Sequence, residues 1–188
     1  VIGAETLSKY INWEDRNTCV LFGDGAGAAV LGQVEDGYGI LSFDLGSDGS
    51  GGDAIQIPSS GSLMPVSKES IDQRLNLIHM NGKEVFKFAV KAMGRTVKNS
   101  LEKIGMPQEK IDWLVPHQAN IRIIESAAKR LSMPMDKVIV NIQKYGNMSA
   151  ACIPIALAEA SAAKRFKKGD IIALSGFGAG LTWASCII

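Results

Sequence analysis

Apolar runs, one long stripe at helical spacing and several glycine-rich breaks divide this chain into elements. Thr18 to Phe22 reads as a buried strand and Ala28 to Val34 as a second, with Gly23-Asp24-Gly25-Ala26-Gly27 as the turn between them, so a β-hairpin is predicted. Gly39 to Leu45 reads as a further strand. Gly46 to Gly61 is dense in Gly, Ser and Asp and reads as loop, long enough to suggest a place beside a site or interface. The clearest helix runs from about Gly82 to Ile104. Phe86, Val90, Met93, Val97, Leu101 and Ile104 make one apolar stripe, Lys87, Lys91, Arg95 and Lys98 cover another face, and Gly105 and Pro107 end it. Ile111 to Pro116 reads as a strand, Asn120 to Leu131 as a helix, Val138 to Ile142 as a strand and Ser149 to Ala163 as an Ala-rich helix. Pro154 in its first turns is expected to cost a backbone hydrogen bond. Ile171 to Phe177 and Thr182 to Ile188 read as strands joined by Gly178-Ala179-Gly180. The alternation predicts an α/β layered domain around a mixed, mostly buried sheet.

Two polar side chains fall where such a fold places its sites. The chain has two histidines. His117 follows an apolar run that ends at Pro116, and Asn147 follows Gly146 just ahead of the small-residue helix. Each is read as standing where a buried strand gives way to a helix, the usual site position in an α/β protein. A neutral imidazole N–H and a carboxamide NH₂ are both donors. Aimed at one point, they can hold a developing oxyanion. His79, in Leu77-Ile78-His79-Met80, has no evident partner and reads as a surface or edge residue.

Composition narrows the function classes. With 188 residues and 46% apolar content the chain can bury a real core in one domain or one large half of a two-part fold. A formal net charge of +1 argues against nucleic acid as a partner. No apolar run is long enough to cross a bilayer, and Val1-Ile2-Gly3-Ala4 carries no basic signal-peptide region. The chain lacks an initiator Met and opens on an apolar pair, so it is read as a fragment with its upstream part absent. Cys19, Cys152 and Cys186 form no CxxC pair, which fits reduced core thiols in a cytoplasmic protein and gives no metal-ligand spacing. Cys19 and Cys186 are read as mid-strand.

Several motifs are set aside. Gly23-x-Gly25-x-Gly27 is followed by strand rather than helix, so it is not a dinucleotide fingerprint. Ala173 occupies the position where a nucleophile elbow around Ser175 needs Gly. Gly176-Phe177-Gly178-Ala179-Gly180 reads equally as a hairpin or as small residues that let a thioester approach a backbone N–H. Arg122 and Lys129, seven apart on one helix face, are either a solvated surface or a docking patch for an acidic partner.

These motifs, in this order, resemble the C-terminal part of the β-ketoacyl-acyl-carrier-protein synthase III family. The resemblance runs over essentially the whole chain. Its pieces are Phe22-Gly23-Asp24-Gly25-Ala26-Gly27-Ala28, Asn81 to Lys87, Asp112-Trp113-Leu114-Val115-Pro116-His117-Gln118-Ala119-Asn120, Gly146-Asn147 with Ser149-Ala150-Ala151, and Gly176 to Gly180; the 30-residue separation of His117 and Asn147 also fits.

The resemblance implies a thiolase-like layered fold, with about 1–45 as a linking β-hairpin region and about 80–188 as the C-terminal half-domain. It implies decarboxylative condensation of malonyl-carrier protein with an acyl-coenzyme A primer, initiating fatty-acid synthesis. His117 and Asn147 match the family's Cys-His-Asn triad; its nucleophilic Cys would lie in the absent N-terminal half, and Cys152 is a decoy. The backbone N–H of Ala179 would serve an oxyanion hole. Gly82, Phe86, Ala119, Asn120 and Phe177 would line the coenzyme A and pantetheine tunnel. Gln118, Ala119, Asn120, Ile121 and Arg122 would contact the acyl carrier protein, with Lys87 and Lys129 as helpers. No cofactor is implied, and the protein would be a cytoplasmic homodimer. Met148 and Cys152 stand where the family commonly has Thr and Ser. Other coenzyme A condensing enzymes, hydroxymethylglutaryl-coenzyme A synthase or polyketide-type, and a non-catalytic dimerisation partner remain as alternatives.

Overall fold

The computed structural model describes all 188 residues, Val1–Ile188. Its strands are β1 Ile2–Thr6, β2 Asp24–Ala28, β3 Ser42–Ser47, β4 Ile55–Gln56, β5 His79–Met80, β6 Trp113–Pro116, β7 Ile172–Gly178 and β8 Thr182–Ile187. Its helices are α1 Lys68–Asp72, α2 Gly82–Lys103, α3 Ile121–Arg130, α4 Ile142–Tyr145 and α5 Cys152–Ala162. The central sheet is mixed, in the order β3-β8-β7-β6. β6 runs parallel to β7, while β7 and β8 form an antiparallel hairpin and β3 closes the other edge. No helix is long and apolar enough to cross a membrane.

Alternation along β6 explains the layers. Leu114 points to the face covered by α2 and α3, where it joins Met93, Val97, Ile124, Ala173 and Ile187. Val115 points to the opposite face and packs with Ile139, Ala156 and Ala160, the last two from α5. The α2 stripe is centred differently from its prediction. Met93, Val97 and Leu101 are buried, but Phe86 and Ile104 at its ends are each 37% exposed. Small and hydroxyl residues do the rest of the packing. Sheet serines donate to α2 carbonyls: Ser175 Oγ to Met93 O at 3.0 Å, Ser185 Oγ to Thr96 O at 2.7 Å and Ser42 Oγ to Ser100 O at 2.7 Å.

The N-terminal region departs from the predicted hairpin. Thr18 to Leu21 is turn and Phe22 makes only an isolated bridge to Asn147, Ala29 to Val34 continues past β2 as irregular chain with Val30 99% exposed, and the supposed glycine turn is β2 itself from Asp24 onward. β2 pairs antiparallel with β1, in register Ile2↔Ala28 to Thr6↔Asp24. The glycines serve close approach rather than turning. A Cβ at Gly23 would lie 2.1 Å from Tyr145 O, one at Gly25 2.5 Å from Met148 Sδ, and one at Gly27 3.0 Å from Pro154. Cys19 therefore lies in a turn, not mid-strand.

Smaller corrections share a tertiary cause. Gly39–Leu45 forms strand only from Ser42, where pairing with β8 begins. The Gly46–Gly61 loop contains a 3-10 turn at Gly49–Ala54 and the short β4, which pairs with β5. Val138–Ile142 makes only an isolated parallel bridge to Leu114, and Ile142 already starts α4. Pro154 is the third residue of α5, where an amide has no partner within the helix, so no hydrogen bond is lost there.

Candidate active site

His117 sits one residue beyond β6. Its N–H donates to Ser175 O at 2.7 Å, extending the β6–β7 ladder by one rung before the chain turns away. Asn120 then caps α3, its Oδ1 accepting from Arg122 N at 2.9 Å. The imidazole meets the Phe177 ring edge-on, with centroids 5.4 Å apart. Burial alone lowers the His117 pKa to about 4, so the ring is neutral at pH 7 and carries one N–H donor. Neither ring nitrogen has a partner within the chain, and neither is sealed from solvent.

Asn147 arrives by another route than the predicted strand end. It follows α4 and Gly146, whose φ of +70° and ψ of −161° suit glycine alone. Asn147 N donates to Leu21 O at 2.8 Å and Asn147 O accepts from Gly23 N at 2.9 Å, so its backbone is clamped to the segment entering β2. Its side-chain Oδ1 accepts from Ser149 N at 2.9 Å. That bond sets the orientation of the amide and leaves the NH₂ unpartnered.

His117 and Asn147 line one cleft of about 1280 Å³. Gly82, Phe86, Ala119, Asn120, Phe177 and Ala179 line it too. The Ala179 amide makes no hydrogen bond within the chain. The long Gly-rich loop supplies Asp53, Ile55, Gln56 and Ile57 to the same wall, in keeping with its predicted place beside a site. His79 is exposed on the short β5, at the cleft edge, where its Nε2 lies 3.1 Å from Arg74 O.

Gln118 contradicts its expected place on a carrier-protein surface. It is 0% exposed, and its carboxamide is fully engaged by main-chain groups. Ile121 and Arg122 are exposed at the start of α3, Lys129 in its last turn and Lys87 on α2. None of these three basic residues forms an ion pair within the chain. Cys152 is buried, and burial pushes its thiol pKa up, so it stays protonated.

Comparison with known proteins decides the family. Residues 101–188 match the family model for the 3-oxoacyl-[acyl-carrier-protein] synthase III C terminal, and residues 1–49 match the model for 3-oxoacyl-[acyl-carrier-protein] synthase III. The β-ketoacyl-[acyl-carrier-protein] synthase III of Caldanaerobacter subterraneus subsp. tengcongensis is 61% identical over 188 residues, covering 100% of this chain and 57% of that protein. The chain belongs to the 3-oxoacyl-[acyl-carrier-protein] synthase III family. The solved synthase III of Thermus thermophilus superposes with a TM-score of 0.88 at 48% identity, over 100% of this chain and 57% of that one. The priming β-ketosynthase of the R1128 polyketide pathway superposes at 0.86 with 33% identity, over 100% of this chain and 55% of that one. The layered α/β arrangement is thus the thiolase-type fold of the family. The chain spans somewhat more than half the length of these relatives.

Sequence reasoning missed what lies behind the two donors. Cys152 Sγ accepts from Met148 N at 3.1 Å and lies 3.8 Å from Asn147 Oδ1 and 3.9 Å from Gln118 O. The only local signal was a thiol and a polar residue close to the two donors in sequence, and neither announces burial.

Proposed function

We propose that this chain is the His- and Asn-bearing part of an enzyme that condenses an acyl primer, delivered by coenzyme A, with malonyl-acyl-carrier protein to start fatty-acid synthesis. Residues of about 1–45 would join an N-terminal half that supplies the nucleophilic cysteine, and about 80–188 would form the C-terminal half-domain. The observation that carries the reading is that two donor groups, a neutral imidazole and a carboxamide NH₂, open unpartnered into one cleft.

In the proposed reaction the C–C bond to the malonyl carboxylate breaks, CO₂ leaves, and the electron pair passes into an enolate. His117 and Asn147 each donate a hydrogen bond to the thioester oxygen as it gains charge. One donor of this kind is worth ~2.7–4 kcal/mol of transition-state stabilisation. The α-carbon then attacks the acyl-enzyme thioester, releasing the cysteine. The free Ala179 N–H would steady the oxyanion of acyl transfer. Gly82, Phe86, Ala119, Asn120 and Phe177 would guide the pantetheine arm, and Ile121, Arg122, Lys87 and Lys129 would meet the acidic carrier. No step requires a cofactor. A cytoplasmic homodimer suits the three free thiols and the family. The likeness to a polyketide priming synthase favours one second reading, a carrier protein of a polyketide pathway with the same chemistry.

In the full-length protein, His117→Ala and Asn147→Ala should each lower malonyl decarboxylation by about 10²–10³-fold while acylation from acyl-coenzyme A stays measurable. Decarboxylation at the parent rate in both variants would end the donor assignment.

A further inference from the structure

We propose that Gln118, tied to Cys152, is a positioning residue that holds His117 and Asn147 in register. The inference rests on the reading of those two side chains as donors. A carboxamide can give two hydrogen bonds and accept two. Gln118 Nε2 donates to Pro116 O at 2.8 Å and to Ile139 O at 3.1 Å. Gln118 Oε1 accepts from Asn141 N at 3.0 Å and Ile142 N at 3.2 Å. Pro116 immediately precedes His117. Asn141 and Ile142 open the short α4, which leads directly to Gly146 and Asn147. One buried side chain therefore fastens the residue before one donor to the turn of helix that delivers the other.

A second tie lies beneath the first. The Cys152 thiol has one proton to give, and both Gln118 O, at 3.9 Å, and Asn147 Oδ1, at 3.8 Å, are within its reach. Its sulfur accepts from Met148 N at 3.1 Å. The sulfur thus touches the residue after His117, the residue after Asn147 and the Asn147 side chain itself. His117 and Asn147 lie outside any shared strand pair, so no sheet ladder fixes one against the other. Removing the carboxamide leaves two carbonyls and two amides without partners in the interior, and both donor segments are then free to drift. A misplacement of about 1 Å in such a site costs about 100-fold in rate.

The test uses the full-length protein with malonyl decarboxylation and acyl-coenzyme A acylation measured separately. Gln118→Met keeps the volume and loses every hydrogen bond. It should lower kcat for decarboxylation by about 10–100-fold with KM and acylation changed less than about threefold. Introduced into Asn147→Ala, the same substitution should cost several-fold less than it does in the parent, because only the His117 donor remains to be positioned. Cys152→Ala should show a smaller loss of the same kind, about fivefold, and Cys152→Ser should restore most of it by keeping an O–H in place. If Gln118→Met does not fold, the Cys152 pair carries the test.

Folded variants that decarboxylate at the parent rate would overturn the proposal. So would a loss shared equally by acylation and undiminished in the Asn147→Ala background. Normal decarboxylation by Asn147→Ala alone would instead remove the donor reading, and this inference with it.

Discussion

Acidification should destabilise the protein through His117. The imidazole pKa falls from 6.5 to about 4 on folding, with burial as its cause. Above pH 6.5 the ring is neutral whether folded or unfolded, and it contributes nothing to the pH dependence. Below 6.5 the unfolded chain takes up a proton that the folded state refuses until about pH 4, so stability is lost as pH falls through that window. The full shift corresponds to ~3 kcal/mol, of which ~2 kcal/mol is lost by pH 5. Urea unfolding of the protein and of His117→Gln at pH 7.5, 6.5, 5.5 and 5.0 isolates the effect, because every other titrating group is common to both. The parent should lose ~2 kcal/mol relative to the variant between pH 7.5 and 5. A stability difference that stays flat over that range, or an imidazole resonance of His117 titrating near 6.5, would refute burial as the controlling influence. The same neutral ring predicts that decarboxylation shows no step from His117 between pH 5.5 and 8.

Two other substitutions probe the site from its backbone and its rim. Gly146→Ala puts a Cβ on a backbone with φ of +70° and 3.0 Å from Leu21 O, so it should cost about 1–3 kcal/mol in chemical denaturation and lower decarboxylation by shifting Asn147; an unchanged midpoint would show that the turn relaxes freely. Arg122→Glu should weaken carrier-protein substrates far more than coenzyme A substrates, with the difference shrinking at high salt, and an equal loss on both would dismiss the docking role.

The parts of the fold legible in the sequence are those whose signal is local. The α2 helix was visible because its apolar residues recur at helical spacing and Gly105 stops it. The β7–β8 hairpin was visible from two apolar runs around Gly178-Ala179-Gly180. The end of β6 at Pro116 and the Asn120 cap of α3 bracketed His117 correctly. β2 was misread because its glycines look like a turn, whereas their purpose is set by Tyr145, Met148 and Pro154, more than a hundred residues away. Val138–Ile142 was misread because apolar character cannot tell an isolated bridge from a ladder. Gln118 was misread for another reason. Its surface role was carried over from the family resemblance, and only the arrival of residues 139–142 supplies the main-chain partners that make its burial favourable.

By itself the sequence determined the α2 helix, the β7–β8 hairpin, the layered α/β class, the near-neutral charge balance and the two polar residues worth following, because each depends on periodicity or residue chemistry within a short window. Tertiary structure decided that His117 and Asn147 share a cleft, that their free N–H groups face it, and that Gln118 and Cys152 are spent inside holding them. Those facts depend on contacts between segments some 21 to 126 residues apart, from Gln118 with Ile139 to Asn147 with Leu21, and no local pattern encodes which buried carbonyl will meet which amide.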